Sequence, residues 1–414
     1  MPELRSIILA AGRGTRMKSE LPKVLHAVAG RPMIEYVLDI TRRVRSLTNY
    51  VVVGFGADKV KKTLGSSLTY VLQDQQLGTG DAVKRVIPYL KSYNGDVLIL
   101  CGDTPLLSED IVGDLIKKHR HAKSAVTVLT ARLNDASGYG RIIRNAQGDF
   151  IAIREQKNAT DSERAIKEIN VGVYCFKAKL LVAAVKQLKP NPLTKEFYLT
   201  DAIEWLLANQ EKVETLVTDD ETTAFGVNSR AHLAVAETVI RQRIIGAHMD
   251  NGVTVIDPAT TYIEHGVAIG QDTIIYPCTY IQADVKVGSG CLVGPFARLR
   301  RGSILADGVE IGNFAEVSRT KLGKRVLMKH FGFLGDAVVG ENTNIGAGTV
   351  TANYDGKDKN LTTIGKNAFI GSDSILVAPV TIGDKAMIGA GAVVKRKTIV
   401  PPGKKAVGVP ARII

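Results

Sequence analysis

The amino-acid sequence predicts two folds in series: an open α/β sheet in the first half and a solenoid of short strands in the second. Short apolar runs alternate with helical patterns from the N-terminus to about residue 228. From Ile263 onward, an aliphatic residue recurs at every sixth position. At 414 residues the chain exceeds the length served by one ordinary hydrophobic core, so two domains are expected.

The composition indicates a globular chain that does not span a membrane. Hydrophobic residues make up 45% of it, and no run of about eighteen apolar residues predicts a membrane span. The first residues lack the charged-then-apolar pattern of a secretory signal. Four cysteines without CxxC spacing predict reduced core thiols in a cytoplasmic protein, rather than a disulfide framework or a zinc site: Cys101, Cys175, Cys278 and Cys291.

A net charge of +13 raises the question of a nucleic-acid partner. The basic residues are spread along the chain, and the aromatic residues are few and not interleaved with them. We therefore expect no nucleic acid to bind. Anionic small substrates account for the surplus positive charge equally well.

Two kinds of segment alternate in the first half. Residues 51–53 and 97–100 are short, continuous apolar runs, as expected of buried parallel strands. Residues 32–45 and 109–119 carry helical spacing. In an open sheet of this kind ligands gather at the carboxyl ends of the strands, so functional residues are expected there.

The first apolar run, residues 7–9, ends in a loop of small residues. A ligand can lie directly on such a backbone, with N–H groups directed at its oxygens. A dinucleotide-binding fingerprint would need a third glycine where Met17 stands, and a Walker lysine is absent. A purely structural turn is the alternative. The small residues, and two arginines suited to phosphate, are Ala10, Ala11, Gly12, Gly14, Arg13 and Arg16.

Asp103 follows directly on the apolar run at residues 97–100. This places its carboxylate at the carboxyl edge of the predicted sheet. A hard cation such as Mg²⁺ takes such an oxygen together with phosphate oxygens. An aspartate that merely caps a turn or the following helix is an equally good reading of this residue alone.

Residues 9–17 (LAAGRGTRM) and 21–25 (LPKVL) together resemble the signature of the sugar-1-phosphate nucleotidyltransferases. The match is closest to the N-acetylglucosamine-1-phosphate uridyltransferase type. The resemblance implies a Rossmann-like, mostly parallel sheet, UTP and a sugar-1-phosphate as substrates, and Mg²⁺ as cofactor. It continues in the same order through residues 73–80, 138–141, 168–172, 198–201 and 226–228.

The resemblance also implies roles for individual residues. Arg16 and Lys23 would be catalytic, with Lys23 holding phosphate charge during in-line attack. Asp103 and Asn228 would bind Mg²⁺. The implied nucleotide-binding residues are Leu9, Ala10, Ala11, Gly12, Gly14, Gln73, Gln76, Gly78 and Thr79, the two glutamines because an amide can satisfy both edges of a base. The implied sugar-binding residues are Gly140, Glu155, Asn170 and Asn228.

The second half is built on a repeat of six. Each repeat predicts a short strand and a corner, with the aliphatic side chain pointing inward. The phase breaks near Leu322 and returns at Ile364, and we expect chemistry in a loop that leaves the regular prism between them. The unbroken first series is Ile263, Ile269, Ile275, Ile281, Val287, Val293, Leu299, Leu305, Ile311 and Val317.

This repeat resembles the left-handed parallel β-helix of the hexapeptide acyltransferases. The segment after Leu322 resembles the acetyltransferase half of the same bifunctional family, which moves acetyl from acetyl-coenzyme A to glucosamine-1-phosphate. His330 would be the general base that takes a proton from the attacking amine. The implied acceptor-substrate residues are Arg300, Asn344, Tyr354 and Lys359. Asn353 matches acceptor and acetyl-coenzyme A positions alike and is assigned to acetyl-coenzyme A with Ser372 and Ala390.

Three departures distinguish the chain from that family. Ser318 stands where the family has a lysine, and Phe333 stands where it has a tyrosine. The sequence stops at Ile414, before the basic C-terminal arm that helps to hold coenzyme A. Arg319 is a candidate replacement for the lost lysine charge. The acetyltransferase half is therefore less firmly indicated than the uridyltransferase half.

The predicted organisation is a nucleotidyltransferase domain over residues 1–228, a linker helix over 229–251 and a hexapeptide-repeat acyltransferase-like domain over 252–414. The leading hypothesis is a cytoplasmic, homotrimeric, bifunctional enzyme of UDP-N-acetylglucosamine synthesis. The alternative is a nucleotidyltransferase alone, using UTP or dTTP, with a structural β-helix. A scaffold without turnover is disfavoured by the presence of Lys23, Asp103 and Asn228. A zinc site of carbonic anhydrase type is disfavoured because only two histidines lie in the repeat region.

Overall fold

The structure is a computed structural model that describes residues 3–414. It divides into two compact units, the first ending at Glu237 and the second beginning at Thr238. The division falls inside one long helix, so the role of residues 229–251 as a linker between domains stays a prediction. Among the described residues, no helix is both long and apolar enough to cross a membrane.

Within its described residues, the first unit contains eleven strands and the helices that cover them. The strands are β1 Leu4–Ala10, β2 Ala27–Val28, β3 Arg31–Pro32, β4 Thr48–Val53, β5 Thr69–Leu72, β6 Asp96–Cys101, β7 Val126–Arg132, β8 Arg141–Arg144, β9 Phe150–Arg154, β10 Glu168–Lys177 and β11 Val213–Thr218. The helices are α1 Met33–Arg43, α2 Ala57–Leu64, α3 Thr79–Val86, α4 Glu109–Ala122, α5 Asp161–Arg164, α6 Ala178–Lys186 and α7 Thr200–Ala208, and α8 Arg230–Asp250 continues into the second unit. Short 3₁₀ turns lie at Thr15–Met17, Lys23–Leu25, Ile87–Tyr89 and Glu221–Ala224.

The main sheet is mostly parallel, as predicted. Its strand order is β11-β7-β10-β6-β1-β4-β5, and β10 runs antiparallel to both of its neighbours on this path. The sheet is buried on both faces, since Ile7 packs into one apolar cluster and Ile8 into the other. The carboxyl ends of β1, β4, β5 and β6 therefore meet at one edge, with the beginning of the antiparallel β10 beside them.

Helix α8 begins where the sequence predicts it. The Ser229 hydroxyl accepts a hydrogen bond from the His232 amide at 3.2 Å, which caps the first turn. Gly252 follows the helix with φ +85°, a left-handed conformation that ends helices readily. In the second unit, Ile245 of this helix is buried in the apolar core of the repeat region.

The second unit is a prism with three sheet faces, and each coil of the chain adds a strand to each face in turn. The first face comprises Thr254–Val255, Ile274–Ile275, Leu292–Val293, Glu310–Ile311, Leu327–Met328, Asn344–Ile345, Phe369–Ile370, Met387–Ile388, Lys405–Val407 and Arg412–Ile413. The second comprises Tyr262–Ile263, Tyr280–Ile281, Arg298–Leu299, Ala315–Ser318, Gly332–Gly335, Val350–Ala352, Ile375–Val377 and Val393–Val394. The third comprises Ala268–Ile269, Lys286–Val287, Ile304–Leu305, Lys321–Leu322, Ala337–Val339, Thr362–Ile364, Val380–Ile382 and Ile399–Val400.

The repeat positions fill the prism as predicted, apart from Ile269, which is only partly buried. The strands pair in parallel from coil to coil, except that Arg412–Ile413 folds back antiparallel on Lys405–Val407. This is the architecture of a parallel β-helix.

The six-residue repeat was expected to be interrupted between Leu322 and Ile364, but the prism continues through most of this segment. Leu322, Leu334 and Val339 are buried in the same core as the regular repeat positions. Leu305 pairs with Leu322 and Leu322 with Val339, so two successive coils are each one residue shorter than the coil from Ile269 to Val287. In a coil that is one residue shorter, the inward-pointing residues no longer lie at every sixth position of the sequence. This explains the apparent loss of phase. Residues 353–361 are the segment that leaves the prism here, and we call it the acceptor loop after the acceptor-substrate residues that the resemblance implies for it, Tyr354 and Lys359.

The cysteine prediction was wrong at one position. All four cysteines are free thiols; Cys175 and Cys291 are buried as expected, and Cys101 is partly buried. Cys278 is exposed at a corner of the prism, where its backbone has φ +59°. The sequence offers no sign of this, because the residue falls between inward-pointing positions of the repeat.

Candidate functional sites

A cavity of about 440 Å³ opens at the carboxyl edge of the main sheet. It brings together most of the nucleotide-site residues that the sequence predicts. Of the nine, eight line it: Leu9, Ala10, Ala11, Gly12, Gln73, Gln76, Gly78 and Thr79. Lys23, Asp103 and Glu155 line it too, and so do Cys101, Glu196 and Tyr198.

The loop after β1 is built from small residues because the chain is crowded there. Gly14 adopts φ +61°, and a Cβ on it would lie 2.7 Å from Cβ of Lys23. A Cβ on Gly54, at the end of β4, would lie 2.7 Å from the carbonyl oxygen of Ala11 and 2.8 Å from Nε2 of Gln76. Larger side chains at either position would displace the cavity wall. Gly14 thus packs against Lys23 and does not itself line the cavity.

Lys23 connects two predicted metal ligands. Its ammonium pairs with the Asp103 carboxylate and donates a hydrogen bond of 2.8 Å to the Asn228 amide oxygen. The Val227 amide donates to the Asp103 backbone oxygen at 2.9 Å, which holds the two segments together. Lys23 and Asp103 have side chains only 15% and 20% exposed, so charge interactions here are weakly screened.

This group fits a divalent cation bound together with substrate. One carboxylate and one amide oxygen converge on a single cationic atom, and both are hard oxygen donors. No cluster of three or more His, Cys, Asp or Glu side chains that could hold a metal exists within residues 3–414. The arrangement therefore suits Mg²⁺, which commonly takes one or two protein oxygens and completes its shell with phosphate and water.

Gln73 is held more tightly than the sequence suggests. It is buried, and its amide nitrogen donates to the Gly78 carbonyl at 3.0 Å and to the Asp81 carboxylate at 2.9 Å. Its donor capacity is thus used within the protein, and only its oxygen remains to accept from a base. Gln76 donates to the Gln73 carbonyl at 3.3 Å. Thr79, at the start of α3, accepts from the Leu199 amide at 3.1 Å.

Three of the four predicted sugar residues, Gly140, Glu155 and Asn170, lie close together near the start of β10, whereas Asn228 contacts Lys23. A Cβ on Gly140 would lie 3.6 Å from Oε2 of Glu155 and 3.7 Å from Cβ of Asn170. The Asn170 side chain donates to the Tyr174 hydroxyl at 2.7 Å and accepts from the Gly172 amide at 3.1 Å. Burial raises the pKa of Glu155, and a hydrogen bond of 3.2 Å from the Thr200 hydroxyl partly offsets this.

Arg16 stands apart from these residues. It lies in the 3₁₀ turn Thr15–Met17, is exposed and does not line the cavity. Its predicted catalytic role thus has no contact in this structure to support it.

A second cavity, of about 470 Å³, lies along the β-helix. The cavity lies at the corner where the chain passes from the first face to the second, and we call this the first corner. Four of the predicted acetyltransferase residues meet here: His330, Asn344, Ser372 and Ala390.

The remaining four predicted residues lie elsewhere on the prism, at the second corner, where the chain passes from the second face to the third. Arg300 pairs with Glu316 at 2.9 Å. Asn353 is buried and donates to the Asp336 carboxylate. Tyr354 and Lys359 are exposed on the acceptor loop, with the Lys359 ammonium 4.1 Å from the Tyr354 ring centre.

Arg319 does not supply the free charge expected of it. Its guanidinium forms a bidentate pair with Asp336, at 2.6 and 2.8 Å, and donates to the Ser318 hydroxyl at 3.0 Å. Arg319 and Asn353 together hold the pKa of Asp336 below its usual range. The positive charge is therefore neutralised within the protein.

Comparison with known proteins identifies the family to which the chain belongs. The profile of the MobA-like NTP transferase domain matches residues 6–210, and that of the bacterial transferase hexapeptide (six repeats) matches residues 361–396. "Bifunctional protein GlmU" of Brevibacillus brevis is 41% identical over 96% of this chain and 93% of its own length. The proteins of the same name from Geobacillus sp. and Bacillus subtilis are 42% and 41% identical, over 94% and 96% of this chain and 92% and 94% of their own lengths. The chain belongs to the GlmU family.

This membership confirms the predicted fold class and the predicted bifunctional character. The prism is the left-handed β-helix of hexapeptide transferases, following a Rossmann-like nucleotidyltransferase fold. The chain is a transferase, and its GlmU relatives and two matched domains support both uridylyltransferase and acetyltransferase activities.

Two residues of this GlmU family member were missed at the sequence level. Glu196 lines the first cavity but lies two residues before the matched segment 198–201 and outside it. Thr200 lies within a segment that the resemblance did flag, yet only the structure reveals its hydrogen bond to Glu155. A single sequence carries no signal for the first, whereas position within a matched segment could have suggested the second.

Proposed function

We propose that the first unit transfers uridylyl from UTP to N-acetylglucosamine-1-phosphate and releases pyrophosphate. The observation that carries this proposal is the convergence of Lys23, Asp103 and Asn228 at a cavity lined by the small-residue loop. A phosphate oxygen of the sugar phosphate attacks the α-phosphorus of UTP, and pyrophosphate leaves in line.

The chain's own residues bind and orient the reactants in this proposal. The backbone of Ala11 and Gly12 carries the triphosphate, while the Gln73 oxygen and Gln76 read uracil. Glu155 and Asn170 contact the sugar. Lys23 stabilises negative charge that develops on the transferring phosphoryl group, in a site screened from water. Mg²⁺, held by Asp103 and Asn228 when bound, would neutralise phosphate charge.

For the second unit we propose acetyl transfer from acetyl-coenzyme A to the amine of glucosamine-1-phosphate. His330 takes the proton from the amine as nitrogen attacks the thioester carbonyl, and coenzyme A leaves as its thiol after protonation. Asn344, Ser372 and Ala390 border the same cavity as His330, which supports a shared site for the two substrates.

We propose a homotrimer as the working form. In one chain His330 lies at the first corner, whereas Arg300, Tyr354 and Lys359 lie at the second, with a whole sheet face between the two corners. A second copy could bring its own second corner to the first corner of its neighbour, and the site would then be complete. Cytoplasmic location is part of the same proposal, because both donor substrates are metabolites of that compartment.

A nucleotidyltransferase with a structural β-helix is the second candidate. Ser318 is fully buried and Arg319 is neutralised by Asp336, so the second corner lacks the lysine charge of the family pattern. Of the two predicted acceptor-site cations, Arg300 is paired with Glu316 and Lys359 lies over the Tyr354 ring, so Lys359 is the one proposed to hold the sugar phosphate.

One pair of assays tests both candidates. The protein is incubated with Mg²⁺, UTP or dTTP, and each of several sugar-1-phosphates, and pyrophosphate release is measured. Separately, acetyl-coenzyme A consumption is measured with glucosamine-1-phosphate. We expect activity in both assays, with UTP and N-acetylglucosamine-1-phosphate preferred in the first. Pyrophosphate release without any acetyl transfer would establish the second candidate.

A further inference from the structure

Two arginine–carboxylate pairs hold the acceptor loop to the prism, one directly and one through a neighbouring residue. It leaves the second face after Val350–Ala352 and rejoins the third face at Thr362–Ile364. Within it, the Asn360 amide donates to the Asn353 carbonyl at 2.7 Å, and Tyr354 and Lys359 face each other across an isolated β-bridge. The loop thus has a defined shape although its tip is exposed.

Asp355 is the centre of the loop's internal hydrogen bonds. One carboxylate oxygen accepts from the backbone amides of Lys357 and Asp358, at 3.0 and 2.7 Å. The other accepts from the Asn360 side chain at 3.0 Å and from the Arg396 guanidinium at 2.9 Å. These donors hold the pKa of Asp355 well below its usual range, so it is ionised whenever the enzyme is active.

Arg396 comes from outside the loop. It follows the second-face strand Val393–Val394, which is two coils further along the prism than the strand that enters the loop. Its guanidinium binds Asp355 and, at 3.2 Å, the amide oxygen of Asn360. It therefore ties the turn of the loop to a rigid element across an intervening coil.

Arg319 holds the start of the loop indirectly, through Asp336 of the prism. Arg319 fixes Asp336 through its bidentate pair, and Asp336 accepts a hydrogen bond from Asn353, the first residue of the loop. Neither arginine is directed at open solvent as a free cation. Each donates to a carboxylate that is in turn hydrogen-bonded to residues of the loop.

We infer that Arg396 and Arg319 are positioning residues that hold the acceptor loop, with Tyr354 and Lys359, in the conformation that receives the sugar phosphate. The inference rests on the proposed acetyltransferase function of the second unit. A loop that is already ordered loses less conformational freedom when the substrate binds, so removing a tie weakens acceptor binding more than it slows the chemical step.

The test compares Arg396→Gln, Arg396→Lys and the matched control Arg325→Gln. Arg325 is also an exposed arginine of the prism, and it bonds to Asn342 at 2.8 Å, away from the loop. Steady-state acetyl transfer is measured against glucosamine-1-phosphate and against acetyl-coenzyme A, together with uridylyl transfer as an internal check on folding. We expect Arg396→Gln to raise KM for glucosamine-1-phosphate by about fivefold to twentyfold, with kcat and the KM for acetyl-coenzyme A within about twofold.

Arg396→Lys should recover part of that loss, because an ammonium keeps the positive charge opposite Asp355 but stands on a shorter side chain and lacks the planar guanidinium. Arg325→Gln should change none of these constants. An unchanged KM for glucosamine-1-phosphate in Arg396→Gln would overturn the inference, and so would an equal loss in Arg325→Gln. A wild-type enzyme without acetyl transfer would instead refute the proposed function on which the inference rests.

Discussion

Replacing Asp103 by asparagine tests the proposed uridylyltransferase site most directly. The substitution keeps the shape of the side chain and one oxygen, but it removes the negative charge that pairs with Lys23. In the proposed mechanism that charge also binds the divalent cation. The variant should therefore lose electrostatic stabilisation without losing packing.

The expected size of the effect follows from the burial of the pair. Lys23 and Asp103 are 15% and 20% exposed, so an effective dielectric constant near 20 applies. Two unit charges about 4 Å apart then interact by about 4 kcal/mol, and a divalent cation interacts more strongly still. Because the substituted asparagine would retain a neutral oxygen ligand, we expect a net loss of about 3 to 4 kcal/mol, or roughly a hundred- to a thousandfold in kcat/KM.

The assay is pyrophosphate release across a range of Mg²⁺ concentrations, with acetyl transfer measured on the same preparation. Asp103→Asn should lower the uridylyl rate, require more Mg²⁺ for half-maximal activity and leave acetyl transfer unchanged. Asp114→Asn is the matched control, since Asp114 is exposed and pairs only with Lys117 on its own helix. A rate within about threefold of wild type, with unchanged Mg²⁺ dependence, would remove Asp103 from the proposed site.

Three further predictions address the remaining parts of the molecule. His330→Ala should reduce acetyl transfer by about a hundred- to ten-thousandfold and leave uridylyl transfer intact; equal rates in the acetyl assay would exclude His330 as the base. Burial, with Glu204 and Glu155 nearby, raises the pKa of Asp201 to about 6, so its protonated form is favoured by folding, and that stabilisation is lost as pH rises from about 4 through 6. The free energy of unfolding of Asp201→Asn, obtained from melting curves at several pH values, should therefore fall less between pH 4 and 7 than that of wild type. The difference should be about 1 to 2 kcal/mol after allowance for the partial exposure of Asp201. An equal fall in the two proteins would contradict the pKa assigned to Asp201. A fragment ending at Asn251 should keep uridylyl transfer but run as a monomer in light scattering, whereas a trimeric fragment would show that the β-helix is not what assembles the chain.

The fold was predictable because its signals are local. The cross-section of the prism requires an inward-pointing aliphatic residue at every sixth position. A buried strand that ends at the ligand-binding edge of a sheet requires an apolar run followed by small residues. The shortened coils were not predictable, since Leu322 and Val339 preserve the core while shifting the period by one residue.

The candidate sites were predictable as sets of residues but not as contacts. Asp103 was predicted from its place after an apolar run, and Lys23 and Asn228 by resemblance, yet their mutual bonds join segments separated by long stretches of chain. Arg319 illustrates the limit. Its charge was evident from the sequence, but the neutralising Asp336 lies one coil away, and stacking of coils is what brings the two together. Arg396 belongs to no motif at all, so only the folded chain reveals that it contacts the loop.

The acceptor loop has a consequence for how such a prism gains new chemistry. Val339 pairs with Ile364, and Ile364 with Ile382, in unbroken register, although the loop lies between the first two residues in sequence. A coil can thus be lengthened at a corner while the ladders on either side remain as they were. Evolution can vary the length and composition of that excursion without re-optimising the core, and a designer could place foreign peptide at equivalent corners of other coils, anchored as here by side chains from neighbouring turns.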